Sequence, residues 1–97
     1  LRELPKVQMQ PQIQTNKGVD GQWTATVALE NSSNTPALMI RVNVLGAKDG
    51  EQILPMFYSD NYFSLLPGEK KTVNIHWKDE DTRGEQPQII VSGYNVQ

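Results

Sequence analysis

The chain has no cysteine, which excludes disulfide staples and thiolate metal sites and leaves the redox compartment undetermined. Histidine is almost as scarce. The one copy, His76, falls on the outward parity of a strand-like run with no cysteine available, so it reads as a solvated strand residue rather than as part of a catalytic triad. Nine basic residues stand against eleven acidic ones, and no basic run exceeds Lys70-Lys71. The electrostatic footprint of a nucleic-acid binder is therefore missing, and anionic membrane surfaces are disfavoured for the same reason.

Long apolar runs are lacking too, so no segment reads as a membrane span or a signal peptide. The chain opens on "LRELPKVQ", as an excised domain would. A secreted or periplasmic parent would carry its signal upstream of Leu1, so the compartment stays open. At 97 residues the chain holds one core. It is too short for a barrel of alternating strands and helices, which needs on the order of 200 residues or more.

Helical spacing is nearly absent, whereas period-two alternation recurs in about seven short runs bounded by Gly, Pro, Asn and Asp. In "KVQMQPQIQT", Val7, Met9, Pro11 and Ile13 share one parity. A proline cannot donate to a ladder, so this run is an edge strand or one that switches sheets at Pro11. "QWTATVALEN" sets Trp23, Ala25, Val27 and Leu29 on one face. "ALMIRVNVLGA" puts Leu38, Ile40, Val42 and Val44 in phase, with Arg41 and Asn43 outward. "QILPMFY" is a short run broken by Pro55. Phe63 and Leu65 alternate inward before the Pro67-Gly68 turn, and "KTVNIHW" follows with Val73, Ile75 and Trp77. After the charged loop "KDEDTRGEQP", Ile89 and Val91 form the last inward pair. The expected fold is all-β: one immunoglobulin-like β-sandwich of about seven antiparallel strands over residues 1–97. Its expected core is Trp23, Val27, Leu29, Ile40, Val42, Phe63, Leu65, Val73, Ile75 and Trp77.

Several patterns invite chemistry and fall short of it. Asp79, Glu80, Asp81 and Glu85 open like a calcium loop, but Arg83 stands at the fifth position and Ile90 at the twelfth, where a bidentate Glu is required. A solvated hairpin loop is the better reading, and no metal or cofactor is called for. Carboxylates on the loops of a thin sandwich provide no sugar-sized cleft, so glycoside cleavage by this chain alone is rejected. Asn31-Ser32-Ser33 matches a glycosylation acceptor, of consequence only in a eukaryotic secretory path. Trp23 and Trp77 lie in phase with apolar residues and read as core, which leaves Tyr58, Tyr62 and Tyr94 as exposed aromatics.

The most specified stretch is "SDNYFSLLPGE". With "ENSSNTPALMIRVNVL" and the terminal Gly93-Tyr94-Asn95 it resembles the C-terminal immunoglobulin-like domain of family 2 glycoside hydrolases, in the exo-beta-D-glucosaminidase and beta-mannosidase branch. The resemblance runs from about Val19 to Asn95. It implies a parent enzyme that cleaves a terminal beta-linked glucosamine or mannose with retention, using glutamates on a barrel outside this chain. This chain would then be a non-catalytic accessory domain packed on the other domains of the parent. A free-standing carbohydrate- or protein-binding module of the fibronectin type III kind is the alternative. Within the motif, Asp60 is expected to accept hydrogen bonds from backbone N–H groups just downstream and so set a corner. Asp60, Asn61 and Tyr62 together are the candidate contact, either for a domain interface, which we favour, or for carbohydrate.

Overall fold

A computed structural model describes residues 4–97; Leu1, Arg2 and Glu3 of the expected domain range lie outside it. Seven strands form two sheets. They are β1 (Gln12–Lys17), β2 (Gln22–Glu30), β3 (Ala37–Gly46), β4 (Phe57–Tyr58), β5 (Phe63–Leu65), β6 (Lys70–Lys78) and β7 (Pro87–Ser92), with a 3₁₀ turn at Asp79–Thr82. One sheet has the order β1-β2-β6-β4 and the other β5-β3-β7, with every ladder antiparallel. The expected sandwich is the observed one.

The alternation in β2 and β6 explains their pairing, because a register that opposes Ala25 to Ile75 and Val27 to Val73 buries both inward faces together. Trp23 opposes Trp77 in the same ladder. Their rings stack at 5.8 Å with planes 4° apart. Trp77 is fully buried, while Trp23 lies at the rim, where its indole N–H donates to Asp79 Oδ1 at 2.8 Å. Lys17 reaches across to the same carboxylate at 3.1 Å and sits 5.9 Å from the Trp23 ring. The indole N–H and the Lys17 ammonium both hold the Asp79 carboxyl below the usual carboxylate range.

Of the expected core, all but Trp23 and Phe63 are fully buried, and those two pack against it. Val7, Met9, Ala37 and Ile53 join them. The chain does switch at Pro11: Val7 bridges in parallel to Val96 at the far end of β7, whereas residues 12–17 pair with β2. Ile13 keeps the expected inward parity, opposite the buried Val27, yet is 40 % exposed. In β3 the phase slips. Ala37 rather than Leu38 faces inward, since Met39 takes a left-handed backbone (φ 53°) and bulges the strand before Ile40.

Candidate docking face

The Asp60-Asn61-Tyr62 triplet enters β5, and its first two residues build the corner. Asp60 Oδ1 accepts the Asn61 N–H at 2.8 Å, and its other oxygen pairs with the Lys71 ammonium. The Lys71 bond first, and the Asn61 N–H second, depress the Asp60 pKa. Asp60 therefore does what the sequence led us to expect of it.

Asn61 does more than the sequence suggested. The β3·β5 ladder pairs Ile40 with Phe63, and the backbone then leaves the ladder because Tyr62 is left-handed (φ 57°). Two residues further along β3, the Asn61 side chain takes over the pairing. Its Oδ1 accepts the Val42 N–H at 2.8 Å and its Nδ2 donates to the Val42 carbonyl at 3.1 Å. A primary amide has the same donor and acceptor as a peptide unit, so the side chain extends the sheet where the main chain cannot. Its neighbours in the motif behave alike. Asn31 donates to the Thr35 and Leu65 carbonyls at 2.8 and 2.9 Å. Asn95 accepts the Leu38 N–H at 2.9 Å and donates to the Pro36 and Pro5 carbonyls at 2.8 and 3.2 Å. Asn31 is fully buried, so the glycosylation pattern around it is structural and its amide is engaged. Gly93 is fixed by space: a Cβ there would lie 2.9 Å from the Leu38 carbonyl oxygen.

With the corner made by Asp60 and Asn61, the Tyr62 ring is left free. It is 58 % exposed and lies 5.8 Å from the Arg41 guanidinium on the outer side of the three-stranded sheet. The register sets Arg41 opposite Ser92 and Asn43 opposite Ile90 on that same face. Ile90, on that face, is exposed, as are Met39 and Tyr94. Tyr62 and Tyr94 stand out in the sequence as exposed aromatics, whereas Met39 and Ile90 do not; their signal is the outward parity of Met39-Arg41 and of Ile90-Ser92-Tyr94. Tyr58, expected to be an exposed aromatic, is not one. It packs against the core half-buried, and burial raises its phenol pKa.

The other outer face is different in kind. Along β2 and β6 it carries Thr24, Thr26, Thr72, Asn74 and His76, with Phe57 stacked on His76 at 4.8 Å. His76 meets Gln22 through Nδ1 at 3.1 Å and no catalytic partner. The acidic loop is likewise structural. Glu85 accepts the Lys48 and Asp49 N–H groups at 2.8 and 3.0 Å, and Arg83 pairs with Asp49 at 3.0 Å. The Glu51 N–H, with Arg83 behind it, lowers the Asp49 pKa. Among the described residues no group of three or more His, Asp or Glu side chains is placed to hold a metal.

A family profile described as the exo-beta-D-glucosaminidase Ig-fold domain matches residues 1–96. The exo-beta-D-glucosaminidase of Streptomyces avermitilis is 36% identical over 98 residues, covering 99% of this chain and 11% of that protein. The mannosylglycoprotein endo-beta-mannosidase of Lilium longiflorum is 35% identical over 86 residues, covering 82% of this chain and 9% of that protein. The crystal structure of the exo-chitosanase of Amycolatopsis orientalis superposes with a TM-score of 0.86 at 31% identity, over 95% of this chain and 11% of that one. The chain thus spans about a tenth of the length of the relatives it matches.

Proposed function

The chain belongs to the family of exo-beta-D-glucosaminidase Ig-fold domains, and we propose that it is a non-catalytic accessory domain of a family 2 glycoside hydrolase of the glucosaminidase or mannosidase type. It docks on the other domains of that enzyme through the outer face of β5-β3-β7, with Tyr62 as anchor. Catalysis belongs to the remainder of the parent. A free-standing fibronectin-type module is not favoured, since the matched relatives are about ten times longer than this chain.

One observation carries the docking reading. Met39 and Tyr62 both hold left-handed backbones, at φ 53° and 57°, and their side chains are 55 % and 58 % exposed. For an L-residue that conformation costs roughly 1–2 kcal/mol, and glycine would adopt it without that cost. Side chains so exposed return little packing energy to their own domain. Strain kept for side chains that face outward supports a partner on that face. A large, uneven protein surface suits it better than a sugar, because a single aromatic stacks weakly while an interface distributes contact over many residues.

Tyr62→Ala tests this in the full-length enzyme and in the 97-residue chain. The expected result is a less stable full-length enzyme, an unchanged isolated chain and unchanged binding of glucosamine oligomers. Loss of oligomer binding by the isolated chain would make Tyr62 a sugar platform and overturn the docking assignment.

A further inference from the structure

Among the described residues, strand β7 pairs with β3 on one side only. The Ala47 N–H donates to the Gln86 carbonyl at 2.8 Å, which fixes the parity of the ladder: Gln88, Ile90 and Ser92 bond to β3, and Ile89 and Val91 turn their N–H and C=O groups away. Pro87, which has no N–H, falls on that outward-turned parity, as a proline on an edge must.

Three further features converge on this edge. Ile89 and Val91 face inward yet stay half-buried, although their register partners Val44 and Val42 are fully buried. Ile13 opposes the buried Val27 and so lies on the inner face of β1, but it is 40 % exposed. The Val7–Val96 bridge ties the approach to β1 to the exit from β7, so both uncovered surfaces lie at the same lateral end of the sandwich. One extended strand beside β7 and beneath β1 would cover all three side chains.

The edge is also unguarded. β1 follows Pro11 and ends in Lys17, β4 has two residues and β5 three, each a device that discourages pairing. β7 has six residues, and no charged side chain occurs from Gln86 to Gln97. A long, uncharged edge left open is an aggregation hazard, and native proteins cover it.

We infer that the slot between β1 and β7 is a strand-acceptor site, filled by an extended segment from elsewhere in the parent polypeptide that pairs with Ile89 and Val91 and lays an apolar side chain over Ile13. The inference rests on the reading of this chain as one domain of a longer enzyme. A tethered segment meets the edge at an effective concentration of about millimolar, far above that of any second molecule. The relatives carry some nine-tenths of their length outside the matched region, ample chain to supply it.

Amide hydrogen exchange in the 97-residue chain and in the full-length polypeptide tests it. In the chain alone, Ile89 and Val91 exchange fast while Gln88, Ile90 and Ser92 exchange slowly, which also shows that the sheet is folded. In the full-length polypeptide the Ile89 and Val91 amides slow by about 100-fold or more, as expected for an edge drawn into a ladder. Equally fast exchange in both samples overturns the inference. So does protection in the chain alone that grows with its concentration, since a second copy would then be the occupant. Hydroxyl-radical labelling of Met39 and Tyr62 in the same pair of samples reports the docking face separately. Protected side chains with unchanged amides overturn the acceptor site and leave the docking face standing; the reverse pattern keeps the acceptor site and overturns docking through Tyr62.

Discussion

Replacing Asn61 by alanine removes both partners of a backbone unit that has no other. Val42 is fully buried, and on its β7 side it forms a non-hydrogen-bonded pair with Val91, so its N–H and C=O would be left without partners. Each buried unsatisfied group costs about 1–3 kcal/mol, giving about 2–6 kcal/mol for the pair. The whole domain is worth about 5–15 kcal/mol at this size. At about 4–8 °C per kcal/mol, a mid-range loss of about 3 kcal/mol lowers Tm by about 12–24 °C. Thermal and urea unfolding followed by tryptophan fluorescence measures it. Asn61→Asp sharpens the test, because the acceptor stays while a carboxylate oxygen replaces the donor facing the Val42 carbonyl. Repulsion raises the folded-state pKa of that carboxyl above the ordinary value of about 3.9. The variant therefore matches the parent best at acidic pH, where the protonated group can donate, and falls behind as pH rises through the folded-state pKa. Melting of Asn61→Ala within about 4 °C of the parent, or an Asn61→Asp deficit that does not change with pH, would refute the amide-for-peptide reading.

Trp77→Ala removes the largest fully buried side chain and is expected to cost about 3–5 kcal/mol, close to unfolding; a melt within a few degrees of the parent would contradict the core assignment. Gly93→Ala forces a methyl group against the Leu38 carbonyl and is expected to destabilise by about 1–3 kcal/mol in a urea titration. Asp49, Asp60 and Asp79 all have depressed pKa values, so the stability they contribute is present above the ordinary carboxylate pKa of about 3.9 and is lost as pH falls through their lower folded values. Asp60→Asn should accordingly flatten the acid limb of the stability profile, and an unchanged limb would show that the Lys71 pair contributes nothing. The isolated chain is expected to release no aglycone from aryl glucosaminides or mannosides.

Strands β2 and β6 were legible because their apolar residues alternate without interruption and both inward faces are buried. Leu38 was misphased because a bulge depends on one residue, Met39, adopting a backbone conformation that its side chain does not advertise. Ile13 obeyed the alternation but not the burial, since coverage depends on the opposite sheet and that sheet has one strand fewer. The corner at Asp60 was readable from its residue types. Asn61 was not, because its partner lies 19 residues away in sequence and only the fold shows that the ladder there lacks a strand. Tyr62 was readable as an exposed aromatic, while the left-handed backbone that makes its exposure costly emerged only in three dimensions.

The parallel bridge between Val7 and Val96 has a mechanical consequence. The Val7 N–H donates to the Asn95 carbonyl at 2.7 Å, the Gln97 N–H donates to the Val7 carbonyl at 3.0 Å, and the Asn95 amide holds the Pro5 carbonyl at 3.2 Å. Tension entering ahead of Val7 and leaving beyond Val96 pulls these two parallel segments in opposite directions along their own axes. The three bonds then bear the load in shear and must rupture together, whereas an antiparallel pair drawn apart from one end would unzip one bond at a time. Stretched between its two ends, the sandwich yields first at this latch, before either sheet is loaded.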